Sequence, residues 1–294
     1  MTLEAQQLFE QLAATTWDTL ASAHRNHFQF GEDAITSVNL HALVNSGSKI
    51  LAFEDTRATE AKKGCDFELW VGANQSGWYR YAAQAKKIDV RTRRYGQLKH
   101  MVGGQRQIDI LNRYAKAVRA MPIYCLYSYA SNVLHWNCSA VKREDKQLGC
   151  MVTPSVVIEE AIKQRGGQTF AFLHRVSDTL PWRCLLHSRN HQPVGAGQCL
   201  GYPFRREDLT RWPSPTTYQH GNLPPHIEGR WKQQFGQREE RIIERQLPPS
   251  AAEFITRIVP ESMDGVLDNY NGDDTAGMFP RWTLVVDTSN EQSG

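Results

Sequence analysis

The sequence predicts an α/β protein, and three observations support that fold class. Apolar residues recur at helical spacing near the N-terminus and again around residues 32–44 and 108–118. Between the last two of these segments lie three short runs of strand length, and a fourth apolar strand follows the last helix. The order over residues 32–130 is therefore helix, strand, strand, strand, helix, strand. The chain has 294 residues, of which 40% are hydrophobic, so it can bury a sizeable core.

The helices are predicted from periodicity and from signals at their ends. Residues 3–26 carry apolar side chains at roughly helical spacing and form an amphipathic helix. A second helix begins at Glu32, and Asn45 with Gly47 marks its end. Pro122 ends the third helix, because the residue before a proline is pushed out of helical geometry.

The strands are predicted from alternation and turn chemistry. Residues 65–71 alternate strictly between apolar and polar faces, which is typical of a half-buried strand. The turn-rich GANQSG (72–77) joins this strand to residues 78–88, so the two runs predict a β-hairpin. The runs at 49–56 and 123–130 supply the other two strands.

The second half of the chain is less regular. Residues 155–165 are predicted to be helical, residues 188–230 to form long loops, and residues 236–246 to form a charged helix. A late strand is predicted at residues 282–287. We therefore divide the chain into a core with its N-terminal helix (1–135) and a C-terminal extension (136–294) packed on or next to that core.

Composition and terminal features exclude several classes of protein. The six cysteines form no CxxC pair and have no histidine at zinc-finger spacing, which argues against a structural zinc site. Glu4 and Glu10 lie where a secretory signal would be basic and then apolar, and no apolar run is long enough to span a bilayer. We expect a cytoplasmic protein without a membrane partner.

Positive charge is concentrated in residues 80–119, although the formal net charge is only +3. This segment has only Asp89 and Asp109 as acidic residues. Such a surplus can bind the phosphates of a nucleic acid, but a solvated helix face with a basic loop would look the same. The basic residues are Arg80, Lys86, Lys87, Arg91, Arg93, Arg94, Lys99, Arg106, Arg113, Lys116 and Arg119.

Three polar side chains are predicted to meet at the open end of the hairpin. Gln84 and Lys86 are two residues apart on one strand and therefore project to the same side. Asp66 begins the neighbouring strand on its polar face. A hard cation such as Mg²⁺ is held by one or two carboxylates together with the phosphates of its substrate, so this arrangement is suited to phosphodiester hydrolysis.

The sequence GCDFEL (64–69) followed by QAK (84–86) resembles the PD-(D/E)XK nuclease superfamily, in the Mrr-type variant with glutamine in the third motif. It also resembles an uncharacterised bacterial family with the same core. The resemblance implies a restriction-endonuclease-like core (αβββαβ) with a mixed central sheet flanked by helices. It covers residues 28–130 only.

The resemblance also implies roles for individual residues. Glu32, Asp66 and Gln84 would bind Mg²⁺ or Mn²⁺ together with the main-chain carbonyl of Ala85, and Lys86 would be the water-positioning base. The implied catalytic set is Glu32, Asp66, Gln84 and Lys86. We expect a metal-dependent endonuclease that acts on nucleic acid, with DNA favoured and a role in antiviral defence. Predicted nucleic-acid contacts are Arg91, Arg93, Arg94 and Gln105.

Simpler interpretations stay open for the same residues. Glu32 could be an acidic residue favoured at a helix start, and Lys86 could protect a sheet edge. Glu68 is the substitute metal ligand if Glu32 fails, with Glu54 and Glu60 as further candidates. The alternating tyrosines at 127 and 129 could stack on bases or pack in the core.

Two other functions compete with the nuclease. The chain could be a catalytically inactive nucleic-acid-binding module, with Gln84 in place of an acidic ligand as the sign of lost activity. It could also be an interaction subunit of a larger complex, whose basic 86–119 segment faces an acidic partner. Self-association as a homodimer is a further option.

Overall fold

The structure is a computed structural model that describes residues 2–46, 50–54, 64–73, 77–130, 137, 144–186, 204, 219–235 and 282–287. It has an α/β fold in which helices cover both faces of a mixed sheet. The helices are α1 (Thr2–Arg25), α2 (Glu32–Asn45), α3 (Gln107–Ala117), α4 (Ser155–Lys163), α5 (Phe170–Arg175) and α6 (Pro225–Phe235).

The strands follow the predicted order through the first half of the chain and continue beyond it. They are β1 (Ile50–Glu54), β2 (Phe67–Ala73), β3 (Gly77–Lys87), β4 (Met101–Val102), β5 (Gln105–Arg106), β6 (Met121–Tyr127), β7 (Cys150–Pro154), β8 (Leu180–Pro181), β9 (Gln219–His220) and β10 (Trp282–Asp287). The α2-β1-β2-β3-α3-β6 succession confirms the predicted helix and strand order, with the small β4–β5 hairpin inserted before α3.

The main sheet has the order β1-β10-β2-β3-β6-β7-β8, with β9 paired to the start of β3. Strand β2 pairs antiparallel with β3, which confirms the predicted hairpin, and β3 pairs in parallel with β6. The antiparallel pairs of a hairpin and the parallel pair across α3 together make the sheet mixed, as the fold class predicted. The fold is compatible with an α/β nuclease-like core.

The late strand β10 occupies a position that the sequence analysis did not anticipate. It lies between β1 and β2, antiparallel to β1 and parallel to β2. Strands β7 and β8, which also follow residue 135, extend the other side of the sheet. The boundary drawn at residue 135 thus cuts through one sheet, because pairing with β10 is what supplies hydrogen bonds to the inner edges of both β1 and β2.

Alternation along β3 divides the core into two layers. Tyr81, Ala83 and Ala85 point to the layer of α1 and α2. Ala82 points to the opposite layer, which contains α3, α4 and α5. Near the start of β3, Trp78 packs with α6. Both faces of the sheet are therefore covered, and the polar side chains Gln84 and Lys86 near the end of β3 are buried.

Several other expectations can be compared with the described residues. Strand β9 and the first part of helix α6 fall within residues 188–230, where long loops were predicted, so that prediction was wrong there. Ile227 of α6 and Leu223, which precedes the helix, are buried beside Trp78. The predicted helix at 236–246, Glu60 and most of the loop-rich segment lie outside the described residues. No helix in the described part of the chain is long and apolar enough to cross a membrane.

Candidate active site

Asp66 lies one residue before β2, opposite Gln84 of β3. The β2–β3 register pairs Phe67 with Ala83, and the Asp66 amide donates to the Ala83 carbonyl at 2.8 Å. Gly64 allows this approach, because it has a φ of +63° and an added Cβ would lie 2.9 Å from the backbone nitrogen of Leu111. Two backbone contacts therefore hold Asp66 at the end of the sheet: its own amide bonds to β3, and Gly64 before it lies close to the backbone of α3.

The Asp66 carboxylate is the acceptor for two donors from β3. Its Oδ2 accepts from Gln84 Nε2 at 2.5 Å and from the Ala85 amide at 2.6 Å. Burial raises the pKa of Asp66 to about 7; Lys86 opposes this rise, and the negative charge of Glu32 adds to it. The raised pKa means that the positive charge around Asp66 does not compensate for its desolvation.

Lys86 lies two residues further along β3 and is only 4% exposed. Its Nζ is 3.2 Å from Glu32 Oε1, and the other oxygen of Glu32 accepts the Lys87 amide at 2.8 Å. Glu32 is the first residue of α2, so it reaches the end of β3 from the layer opposite α3. Lys87 Nζ donates to the Phe30 carbonyl at 2.6 Å, which fixes the chain that leads into α2.

The structure thus brings together the four side chains that the sequence analysis assigned to catalysis. Asp66 comes from the start of β2, Gln84 and Lys86 from the end of β3, and Glu32 from the start of α2. They form two contacting pairs, Asp66 with Gln84 and Glu32 with Lys86. The Ala85 amide, as well as its carbonyl, lies in this cluster.

The orientation of the Gln84 amide differs from the expectation that its oxygen would face a metal. The nitrogen faces Asp66, and Oε1 accepts from Gln107 Nε2 at 2.8 Å. The physical reason is that the Asp66 oxygen is an acceptor and attracts the donor end of the amide. Gln107, the first residue of α3, was not assigned to this cluster in the sequence analysis.

The position of Gln107 could have been found in the sequence. It lies four residues before Leu111 and one before Ile108, on the apolar stripe of α3 that faces the sheet. A glutamine at a buried position of an amphipathic helix requires a polar partner in the core. That requirement, rather than any motif, points to the polar end of β3.

The substitute ligands are accounted for differently. Glu68 is buried, accepts from Nε and Nη2 of Arg80, and accepts the hydroxyl of Tyr114. Arg80 also donates to the Val118 carbonyl at 3.2 Å. This network joins β2 and β3 to the end of α3, so Glu68 has a structural role and is not available as a ligand. The side chain of Glu54 lies outside the described side chains.

The predicted nucleic-acid contacts surround the end of β3 without entering the cluster. Arg91, Arg93 and Arg94 are exposed on the loop that leaves β3, and Asp89 Oδ1 orders this loop by accepting the Arg91 and Thr92 amides. Gln105 is exposed on β5 and accepts from Arg113 at 2.9 Å. Tyr124 and Tyr127 are buried and Tyr129 packs on Trp17, so these tyrosines belong to the core.

The donor set at the cluster is compatible with a magnesium ion. Magnesium prefers oxygen ligands and is commonly held by only one or two carboxylates. Asp66 and Glu32 supply the carboxylates, and the Ala85 carbonyl supplies a neutral oxygen; the Gln84 oxygen faces Gln107 in this structure. No group of three or more His, Cys, Asp or Glu side chains that could hold a metal ion occurs among the described residues.

The fold and the cluster define an α/β protein with a polar, partly buried charge cluster at the end of a sheet. Over residues 5–288 the chain matches a family of unknown function, DUF6615, and it belongs to that family. The comparison with curated proteins found no match.

Proposed function

We propose that this protein is a metal-dependent nuclease that hydrolyses phosphodiester bonds of nucleic acid at the Glu32–Asp66–Gln84–Lys86 cluster. The observation that carries the proposal is the convergence of these side chains from three separate elements at one end of the sheet. Burying a carboxyl group, an amide and a lysine side chain together destabilises the fold, so such a cluster is expected where function requires it. Carboxyl groups with perturbed pKa values are typical of functional sites.

The charge balance of the cluster supports a cation site. Glu32 and Asp66 carry two negative charges when both are ionised. Among the described residues, Lys86 is the only one whose cationic side chain contacts either carboxylate. Asp66, the Ala85 carbonyl and Glu32 would hold the ion. When bound, a divalent cation lowers the pKa of a coordinated water and neutralises charge on the phosphate.

Lys86 is placed to act on the reacting phosphate. Its contact with Glu32 occupies one of the three N–H donors of the ammonium group, and the other two can orient a water molecule or stabilise negative charge. Glu32 and the β3 backbone fix the position of Nζ, so the charge needs little reorganisation during the reaction. This positioning is the contribution that a rigid strand end makes to catalysis.

The exposed arginines would guide the substrate. Arg91, Arg93 and Arg94 follow Lys86 within one loop, so phosphates bound by them lie near the cluster. We favour DNA as substrate and a cytoplasmic location. The four described cysteines, Cys65, Cys125, Cys150 and Cys184, are buried and form no disulfide, which suits a reducing compartment.

The test combines metal binding with cleavage. Calorimetry with Mn²⁺ should show binding to the wild type that is lost in Asp66→Ala and kept in Asp18→Ala, which removes an exposed carboxylate paired with Lys146. Plasmid DNA and single-stranded RNA are then incubated with Mg²⁺ or Mn²⁺. Cleavage that persists in Asp66→Ala would show that the nuclease activity does not come from this cluster.

A non-catalytic nucleic-acid-binding module is the second candidate. The observation that favours it is the neutral Gln84, which stands in place of an acidic ligand and donates its nitrogen to Asp66. Such a module would bind nucleic acid with a strong salt dependence and show no metal-dependent cleavage. The calorimetric titration separates the two candidates, because the module has no need of Mn²⁺.

A further inference from the structure

Gln107 and Gln84 form a buried chain of two amides that ends on Asp66. Gln107 Nε2 donates to Gln84 Oε1 at 2.8 Å, and Gln84 Nε2 donates to Asp66 Oδ2 at 2.5 Å. Gln84 is 1% exposed and Gln107 is 7% exposed. Their amides therefore exchange hydrogen bonds with protein groups rather than freely with water.

The order of donors along this chain is dictated by its end. Asp66 Oδ2 is an acceptor, because it also accepts the Ala85 amide, so it takes the nitrogen of Gln84. The Gln84 oxygen then requires a donor, and Gln107 supplies its nitrogen. This leaves Gln107 Oε1 buried with no hydrogen-bond partner among the described residues. A buried oxygen without a hydrogen bond is destabilising, so this arrangement is not optimal at the α3 end.

A divalent cation beside Asp66 would reverse the preference. A cation attracts the oxygen of Gln84 and repels its amide protons. If the Gln84 amide turns over, its nitrogen faces Gln107, which must then present Oε1, the atom that now has no partner. The reversed chain keeps the hydrogen bond between the two amides. The rotation loses the contacts of Gln84 Nε2 with Asp66 Oδ2 and with the Ala85 carbonyl, and these two oxygens would then bind the cation.

We propose that Gln107 is a positioning residue for the metal site, and that the Gln84 and Gln107 amides rotate together when a divalent cation binds. This inference rests on the proposed function and extends it. It also gives a physical reason for glutamine at position 84: an amide can present either a donor or an acceptor to Asp66, whereas an acidic side chain would add a third negative charge to a buried site. The cluster is then stable both with and without its cation.

The first experiment measures Mn²⁺ affinity by calorimetry in Gln107→Leu. Leucine matches the apolar neighbours of Gln107 on α3 and cannot orient an amide. Loss of an outer partner of a metal ligand typically lowers metal affinity by about 10–100-fold, and we expect a loss in that range. Gln97→Leu, at an exposed position of the turn before β4, is the control and should bind Mn²⁺ like the wild type.

For the second variant, Gln107→Glu, we expect stronger rather than weaker Mn²⁺ binding. An ionised Gln107→Glu side chain can only accept, so it holds the Gln84 nitrogen and turns the Gln84 oxygen toward Asp66. We expect Mn²⁺ to raise the Tm of Gln107→Glu more than that of the wild type. Part of this effect would be plain electrostatic attraction, so the variant is repeated in a Gln84→Met background. The part of the Tm effect that comes from orienting the Gln84 amide is the coupling between positions 84 and 107. This part should vanish in the Gln84→Met background.

The possible results distinguish this proposal from the proposed function. Unchanged Mn²⁺ affinity in Gln107→Leu, with wild-type binding intact and lost in Asp66→Ala, overturns the role of Gln107 and leaves the metal site standing. Equal effects of Gln107→Glu with and without Gln84 overturn the coupled rotation. No Mn²⁺ binding by the wild type overturns the metal site and this inference together.

Discussion

Lys86 and Glu32 form an ion pair across the end of β3, with 3.2 Å between Nζ and Oε1. The pair joins the strand to the first turn of α2. Lys86 is almost fully buried, whereas the Glu32 side chain is 23% exposed. Removing the lysine therefore leaves a carboxylate that still accepts the Lys87 amide and can reach water, so the fold should survive the change.

Lys86→Met should abolish most nuclease activity while leaving the fold intact. Methionine keeps the stem but deletes the ammonium group, and losing such a group typically costs about 10²–10⁴-fold in rate. We expect a stability loss of about 1–3 kcal/mol, between the values for exposed and buried ion pairs. Plasmid nicking with Mg²⁺ measures the first effect, and urea denaturation the second.

The control for this variant is Lys232→Met. Lys232 is exposed on α6, which packs near the start of β3, at the end opposite Lys86. Lys87→Met is unsuitable, because Lys87 Nζ holds the Phe30 carbonyl beside α2. Cleavage by folded Lys86→Met within threefold of the wild type would contradict the role given to this lysine.

Asp66→Asn should stabilise the protein at pH 8 and have little effect at pH 5. The folded-state pKa of Asp66 is raised from 3.8 to about 7, so between these values the folded state binds more protons than the unfolded state. Stability from this group is then lost as the pH rises through that interval, and the neutral asparagine avoids the loss. The gain at pH 8 should be on the order of 1–4 kcal/mol.

The measurement is urea denaturation of both proteins across pH 5–8 without metal. Asparagine keeps an acceptor for the Gln84 and Ala85 donors, so geometry is preserved while charge is removed. If the difference in the free energy of unfolding between the variant and the wild type does not change with pH, the pKa of Asp66 is not raised. Mn²⁺ affinity of the wild type should also fall below about pH 7, since protons compete for the same carboxylate.

His174 should make the protein sensitive to acid. It is buried against Phe170, and its Nε2 is hydrogen-bonded to the Tyr95 hydroxyl at 2.9 Å. Burial lowers the pKa of His174 to about 3. Between about pH 6.5 and 3 the unfolded state binds the extra proton, so stability is lost as the pH falls through this interval.

This effect opposes that of Asp66, so it is best measured in the Asp66→Asn background. There the free energy of unfolding should fall steadily from pH 6.5 to 4, and a His174→Gln change should flatten the slope. An unchanged slope would mean that another group causes the acid sensitivity.

Replacing Arg91, Arg93 and Arg94 with alanine should weaken the salt dependence of DNA binding. Each phosphate contact releases about one counterion, so the slope of log K against log salt should fall by up to about 2–3 units. Fluorescence anisotropy with a labelled duplex measures it. The control removes the same number of charges elsewhere, from Lys146, Arg230 and Lys232, and should leave the slope close to that of the wild type. If both triple variants give the same slope of log K against log salt, the loop arginines do not contact the DNA phosphates.

Glu68→Gln should destabilise the fold without affecting Mn²⁺ affinity. It leaves Arg80 without its carboxylate partner in a mostly buried position, which costs about 3 kcal/mol by the usual values for broken buried pairs. Tyr114→Phe removes one hydrogen bond from the same network and should cost about 1 kcal/mol. A loss of Mn²⁺ affinity in folded Glu68→Gln beyond that in Tyr114→Phe would return Glu68 to the ligand set.

Local patterns in the sequence determined much of this protein. Alternation and a short turn set the β2–β3 hairpin, and once that hairpin forms, its register places Asp66 opposite Gln84. Both facts depend only on residues within one hairpin, where the side-chain period of two and the turn length leave little freedom. The start of α2 at Glu32 was likewise predictable from a local break in pattern.

Tertiary structure alone decided the rest. Strand β10 comes from the far end of the chain and enters between β1 and β2, and a parallel pair with so distant a partner leaves no local signal. The partners of Glu32, Glu68 and Gln107 depend on how helices in two layers pack on the sheet, not on spacing along the chain. Buried polar groups must find partners wherever the fold brings them, and for that reason Glu68 became structural while Gln107 joined the site.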